Sequence, residues 1–74
     1  MLKFKAKYSY SGKEVFGDDL IRLVEEVKHD LIASYPRLEV ITFSDCKTSS
    51  IIDRMEFRRD MFSNNCHFRM RGIE

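Results

Sequence analysis

Two cysteines and two histidines are the first residues of this 74-residue chain to consider as metal ligands or as a nucleophile and its base. Cys66 and His67 are neighbours, and neighbouring residues of a strand point to opposite faces of a sheet, so this pair cannot converge on one ion. His29 lies one helical turn after Glu25, but one pair lacks the further ligands that a metal site needs. The sequence therefore predicts no metal site.

Cys46 is the remaining candidate for catalysis, because the neighbouring Lys47 favours the thiolate form of a cysteine. A catalytic cysteine also needs a base that a third group orients, and the sequence locates no such base. Ser11-Gly12 and the KTSS segment at 47–50 are fragments of a phosphate-binding loop without its full spacing, GxxxxGK[ST]. We expect a protein with no catalytic residues, no enzymatic activity and no cofactor.

The length and composition of the chain predict a single domain over residues 1–74 with a small core. Hydrophobic residues account for 43% and charged residues for 34%, which is typical of a folded domain and not of a disordered chain. No apolar run is long enough to cross a membrane, the N-terminal residues lack a signal-peptide pattern, and two cysteines are too few for a disulfide framework. We therefore expect a cytoplasmic protein with reduced thiols and no membrane contact.

Alternating apolar and polar residues over positions 2–10 predict a half-buried first strand. Ser11-Gly12 offers a two-residue turn, after which residues 13–16 can return as a short second strand. The chain is thus expected to begin with a β-hairpin.

An amphipathic helix is predicted after the hairpin, since leucine and valine recur at helical spacing between Leu20 and Leu31. Asp18 or Asp19 is suited to cap its first turn. Pro36 ends the helix, because the residue before a proline disfavours the helical conformation. The opposite side of this helix is polar, so its apolar side must pack against another element.

Three more strands are predicted at residues 38–44, 51–59 and 66–71. The order ββαβββ fits a two-layer α+β domain, in which one amphipathic helix packs on one face of a mostly antiparallel sheet. Asp53 is an exception to the pattern, because alternation directs it to the buried face. Either the strand starts after Asp53, or a bulge shifts the register, or the carboxylate caps a buried N–H group.

The strand pattern also predicts that one face of the sheet is basic. Three strands place their apolar residues toward the helix, so the residues between them point away from it. The exposed face would then carry seven of the 13 lysines and arginines, namely Lys3, Lys5, Lys7, Arg54, Arg58, Arg69 and Arg71. His67 would join them, and Glu56 would be the main opposing acid. A merely solvated face usually mixes both signs, although edge and solvent-facing strand positions commonly carry cations for solubility.

A basic sheet face suits an acidic protein surface or the phosphates of nucleic acid. Sheet-face binders of single-stranded nucleic acid place aromatic residues outward for bases to stack on. Here the aromatic residues of the predicted strands alternate inward: Phe4, Tyr8, Phe57 and Phe68. Those expected to lie outside the core are Tyr35, Phe62 and Tyr10. An acidic protein partner is therefore the first hypothesis, and direct binding to DNA or RNA is the alternative.

Taken together, these patterns predict a small regulatory or inhibitory protein that docks on a larger macromolecule and has no chemistry of its own. Single-domain proteins without catalytic groups are common among phage- and plasmid-encoded modulators, which is an argument from the class and not from any one residue. We expect a monomer or a small homo-oligomer, and like-charged sheet faces would oppose self-association through the basic face.

Overall fold

The computed structural model describes residues 2–34 and 36–72 and shows one helix packed against one face of a five-stranded sheet. The strands are β1 (Phe4–Tyr8), β2 (Glu14–Gly17), β3 (Leu38–Asp45), β4 (Ile51–Arg59) and β5 (Cys66–Gly72), and the helix is α1 (Leu20–Ser34). The strand order is β2-β1-β3-β4-β5, and every neighbouring pair is antiparallel. The predicted two-layer ββαβββ α+β fold is therefore confirmed.

The helix begins where the sequence predicts. The carboxylate of Asp19 accepts a hydrogen bond of 3.0 Å from the amide of Ile21, which caps the first turn. The buried side of the helix consists of Leu23, Val27 and Leu31. Its partners in the core are Ala6, Tyr8, Ile41, Phe43, Met55 and Phe57. Among the described residues, no helix combines the length and the apolar character needed to cross a bilayer.

The helix ends against β4, through a side chain that the sequence pattern did not single out. The guanidinium of Arg59 donates hydrogen bonds of 3.0 and 3.1 Å to the carbonyl oxygens of Leu31 and Ile32. The last carbonyl groups of a helix have no partner within the helix, and a cation there also interacts favourably with the helix dipole. Arg59 therefore caps the C-terminal end of α1.

The first hairpin differs from the predicted one, because its connection is longer than a two-residue turn. β1 ends at Tyr8, residues 9–13 form the connection, and both Leu2 and Tyr10 are exposed instead of continuing the strand. The carbonyl of Tyr8 accepts a hydrogen bond of 2.9 Å from the amide of Gly12, whose φ of 78° is in the left-handed region that glycine adopts without a steric cost. The predicted two-residue turn was therefore too short. The prediction that Gly12 lies in the turn was correct.

A buried carboxylate explains the longer connection. Glu39 in β3 is 3% exposed and accepts hydrogen bonds of 2.8 and 3.2 Å from the amides of Tyr10 and Ser11, and one of 3.1 Å from the amide of Val40. A buried carboxylate is stabilised when several N–H groups point at it. The shape of the first hairpin is thus held by a residue that lies far away in the sequence.

Asp53 keeps the register that directs it to the inner face, and a bulge lies between it and the start of β4. β4 begins at Ile51, so the alternative in which the strand starts after Asp53 is wrong. Phe43 pairs with Asp53, whereas Ser44 pairs with Ile51, and this register shift marks a bulge in β4. The carboxylate of Asp53 accepts a hydrogen bond of 2.7 Å from the amide of Arg54. That hydrogen bond is exposed, so Asp53 does not cap a buried N–H group.

Candidate functional site

The face of the sheet that points away from α1 carries most of the basic residues, and we call it the outer face. In β1, Lys5 and Lys7 alternate with the buried Ala6 and Tyr8. In β4 the cations alternate with the buried Met55 and Phe57, and in β5 they alternate with Cys66, Phe68 and the exposed Met70. The outer positions of these two strands are held by Arg54, Glu56, Arg58, His67, Arg69 and Arg71. Lys3 lies just before β1 and is exposed.

One row of residues crosses the outer face from β1 to β5, and at its β2 end Glu14 is in register with Lys7. Lys7 of β1 is in register with Thr42 of β3, which is in register with Arg54 of β4, and Arg54 is in register with Arg71 of β5. Neighbouring strands are about 4.8 Å apart, so this row brings three cations within about 15 Å. The face concentrates positive charge that is spread over the sequence.

Most of these cations have no acidic partner in the part of the chain that the structure describes. Lys5 lies 3.9 Å from a carboxylate oxygen of Glu14, and Arg71 lies 3.2 Å from one of Glu56. Within residues 2–34 and 36–72, no carboxylate lies within 4 Å of the charged groups of the other five predicted site residues, which are Lys3, Lys7, Arg54, Arg58 and Arg69. The positive charge of the outer face is therefore only partly neutralised by the protein itself.

The middle of the outer face is neutral. It is formed by β3, where Leu38, Val40 and Thr42 alternate with the buried Glu39 and Ile41. Leu38 is exposed, and Val40 and Thr42 are half-buried. Cations lie on both sides of this strip at Thr42, whose register partners are Lys7 and Arg54, whereas Val40 is in register with Glu56. A neutral centre with a charged border resembles the layout of many protein interfaces, which combine an apolar centre with a polar rim.

Phe16 is an outward aromatic residue that the sequence pattern did not identify. It is in register with Lys5, while its neighbour Val15 pairs with Ala6 and packs against the core. Phe16 therefore lies on the outer face, where it is 44% exposed. The short second strand gave too few alternating positions to fix its orientation.

The other aromatic predictions hold. The side chains of Phe4, Tyr8, Phe57 and Phe68 face the core, and Tyr10 and Phe62 are exposed. Tyr35 lies outside the described residues.

The hairpin between β4 and β5 presents an apolar tip beside the outer face. Phe62 is fully exposed. The carboxylate of Asp60 accepts a hydrogen bond of 3.3 Å from the hydroxyl of Ser63 and lies 3.1 Å from Nε2 of His67. The hydrogen bond with His67 lowers the pKa of Asp60, the hydroxyl of Ser63 and the charge of Arg58 add to this, and burial opposes it. The tip is thus held in one shape by polar contacts at its base.

The residues that could do chemistry are not brought together. Cys66 is half-buried on the inner face, whereas His67 lies on the outer face, as the alternation predicts. Cys46 is an exposed free cysteine in the connection between β3 and β4. Within the described residues, no group of three or more histidine, cysteine, aspartate or glutamate side chains is arranged to hold a metal ion.

A small cavity of about 270 Å³ lies between the first hairpin and the end of α1. The phenol of Tyr8 and the ammonium of Lys13 both donate hydrogen bonds to the carboxylate of Asp30, at 2.9 and 2.8 Å. Burial, and then the hydrogen bond to Asp30, raises the pKa of Tyr8 above its ordinary value. In the described residues, every buried side-chain nitrogen or oxygen has a hydrogen-bond partner, so we assign the polar groups of this cavity a structural role.

The fold and the outer face together define the class of this protein. It is a two-layer α+β protein in which the helix covers one face of the sheet and leaves the basic face uncovered. In comparisons with known proteins, no family model, no curated protein and no solved structure matches this chain. We therefore infer function from the outer face itself.

Proposed function

We propose that this protein is a small non-enzymatic regulator that docks through its outer face on an acidic surface of a larger protein. The observation that supports this is the set of five cations for which the described residues supply no carboxylate within ion-pair distance: Lys3, Lys7, Arg54, Arg58 and Arg69. They share one side of the molecule with the rest of the basic residues of the sheet.

An acidic protein surface fits this face for two reasons. Complementary charge speeds association and excludes wrong partners, and arginine can bind a carboxylate through two parallel hydrogen bonds. The neutral strip of Leu38, Val40 and Thr42 offers area that can be buried without removing a charge from water. Lys7 and Arg54 flank this strip in the same row, so they are the residues to test first.

The test is affinity capture with the double variant Lys7→Glu/Arg54→Glu. Both side chains are exposed and form no ion pair with described residues, so the variant should keep the fold. The matched control is Arg22→Glu/Lys47→Glu, which makes the same change in net charge outside the outer face. We expect the native protein and the control to capture a partner at fixed stoichiometry, and the face variant to lose it. Capture that survives the reversal in the face variant would overturn the proposal.

Single-stranded nucleic acid is a second candidate, and Phe16 is the observation that favours it. Bases stack on exposed aromatic side chains in sequence-tolerant binders, and Phe16 lies beside Lys5 on the basic face. We rank this candidate second because sheet-face modules stack two or three bases, and Phe16 is the one outward aromatic that the described strands provide.

Oligonucleotide titration separates the two candidates. Labelled single- and double-stranded oligonucleotides would be titrated at about 50 and about 200 mM salt, because phosphate-driven binding weakens steeply over this range. If the outer face docks on an acidic protein, we expect no oligonucleotide to bind at the lower salt concentration. Binding that falls steeply with salt, and that Phe16→Ser weakens for single strands, would instead place nucleic acid first.

A further inference from the structure

The two edges of the sheet differ in length. The edge strand β2 has four residues, whereas the edge strand β5 has seven and pairs with β4 in continuous register from Cys66 to Gly72. An edge strand presents unpaired N–H and C=O groups that can template another strand. A short edge limits such pairing, so β5 is the edge of this sheet that can accept a further strand.

The hydrogen bonds of the sheet determine which backbone groups of β5 are free. At the hairpin, the amide of Asp60 donates to the carbonyl of Asn65, so this pair is a hydrogen-bonded one. In an antiparallel ladder, hydrogen-bonded and non-hydrogen-bonded pairs alternate. The bond from the amide of Arg59 to the carbonyl of Arg37 agrees, because it directs the odd-numbered residues of β4 toward β3. The residues whose N–H and C=O groups point to the free edge are therefore Cys66, Phe68, Met70 and Gly72.

The side chains of β5 differ in chemistry on its two faces. The outer positions are all basic: His67, Arg69 and Arg71. On the inner face, Phe68 is half-buried, and the centroid of its ring lies 5.7 Å from the ammonium of Lys28 in α1. Met70, by contrast, is 42% exposed. The helix therefore leaves part of the inner face of β5 uncovered. A strand added at this edge would meet cations on one side and an apolar surface on the other.

We propose that a segment of the acidic partner adds to the β5 edge as an antiparallel sixth strand in which acidic and apolar residues alternate. This inference rests on the proposed function and specifies the partner. The acidic residues would lie opposite Arg69 and Arg71, in non-hydrogen-bonded pairs where Cα atoms are about 4.5 Å apart. The apolar residues would lie opposite Phe68 and Met70. Antiparallel pairing is chosen because every pair in this sheet is antiparallel.

A second copy of the chain fits this edge poorly. Any antiparallel pairing of two β5 strands that continues the outer face places a basic residue opposite a basic residue, because every outer position of β5 is basic. Like charges directly opposite each other destabilise a strand pair. Glu56 is in register with Arg69 but forms its ion pair with Arg71, so no carboxylate of the described residues lies within 4 Å of the Arg69 guanidinium. Arg69 is therefore the outer residue of β5 to test for an acidic partner.

The probe is a synthetic seven-residue peptide that alternates glutamate and valine, with blocked ends. Two N-methylated versions test the mode of binding. Methylation of the valine amides removes the N–H groups that would pair with Phe68 and Met70, whereas methylation of the glutamate amides alters N–H groups that point away from β5. We expect the unmodified and glutamate-methylated peptides to bind and the valine-methylated peptide to fail. Any other pattern, including no binding of the unmodified peptide at millimolar concentration, would overturn the proposal.

Amide hydrogen exchange gives a second measurement on the intact protein. The peptide should slow exchange at Phe68 and Met70 and leave Arg69 unchanged, because the amide of Arg69 already points to β4. Arg69→Glu should weaken peptide binding about fivefold or more, while Arg58→Glu, a reversal on the same face but away from the edge, should change it little. If the two charge reversals weaken peptide binding equally, the peptide is attracted only by the charge of the outer face, which would contradict strand addition.

The two proposals can fail separately. If the face variant Lys7→Glu/Arg54→Glu loses partner capture but the peptide leaves the exchange of Phe68 and Met70 unchanged, the docking face stands and the edge pairing is wrong. If the peptide protects these amides and capture survives the face reversal, the edge pairing stands and docking through the outer face is wrong.

Discussion

Tyr8 in β1 donates a hydrogen bond of 2.9 Å from its phenol to the carboxylate of Asp30 in α1. Lys13, at the end of the first connection, donates one of 2.8 Å to the other oxygen of the same carboxylate. One side chain of the helix is thus tied to both the sheet and the first hairpin. This arrangement makes the stability of the fold depend on pH at both ends of the range.

At acid pH, stability should decrease as Asp30 becomes protonated. The hydrogen bond from Lys13 lowers the pKa of Asp30 below its ordinary value of 3.8; burial opposes this shift, and the hydrogen bond from Tyr8 adds to it. A carboxyl group whose pKa is lower in the folded state contributes stability above its unfolded pKa and loses it as the pH falls through the folded pKa. Asp30→Asn should therefore flatten the fall in the free energy of unfolding below about pH 4, measured by urea denaturation. Asp18→Asn, at an exposed position, should keep the native slope.

At alkaline pH, Tyr8 should contribute a separate loss of stability. Burial, the hydrogen bond to Asp30, and the charges of Asp30 and Glu39 raise the pKa of Tyr8 above its ordinary value of 10.0. The phenol ionises more readily in the unfolded chain, so its contribution is complete below about pH 10 and decreases as the pH rises further. Tyr8→Phe should reduce stability at neutral pH by about 1 kcal/mol, because a hydrogen bond is lost, and should flatten the alkaline decline. An unchanged alkaline slope would contradict this assignment, and Tyr10→Phe is the exposed control.

Loss of the Glu39 carboxylate should destabilise the protein more than loss of an exposed acid. Glu39→Ala leaves the amides of Tyr10 and Ser11 without their acceptor, at a cost of about 2–3 kcal/mol in the free energy of unfolding. Urea denaturation measures the change, with Glu25→Ala on the exposed side of α1 as the control. If the two substitutions cost the same, Glu39 does not hold the hairpin.

Arg59 should stabilise the end of the helix and not the outer face. Arg59→Met removes the hydrogen bonds to Leu31 and Ile32, and we expect a loss of about 1–2 kcal/mol together with faster amide exchange in the last turn of α1. The neighbouring Arg58→Met removes the same charge from an exposed outer position and should leave that turn unchanged. Exchange that is equally fast in both variants would contradict the capping role.

The sequence by itself determined the elements and the charge of the outer face. β4 has the predicted bounds, and α1 lies within the predicted segment, because burial on one side imposes a period of two on strands and about 3.6 on helices. The same alternation directs Arg69 and Arg71 outward. Those features are local, and each follows from which residues must leave water.

The tertiary structure decided what depends on distant residues. The alternation of β1 could not reveal that Glu39, from another strand, would hold the first connection, nor that a bulge beside Asp53 would bring Ile51 opposite Ser44. The outward position of Phe16 follows from its register with Lys5 and not from its own short strand. The free edge of β5 likewise follows from the strand order. Strand order and register are set by long-range pairing and burial, which no local pattern specifies.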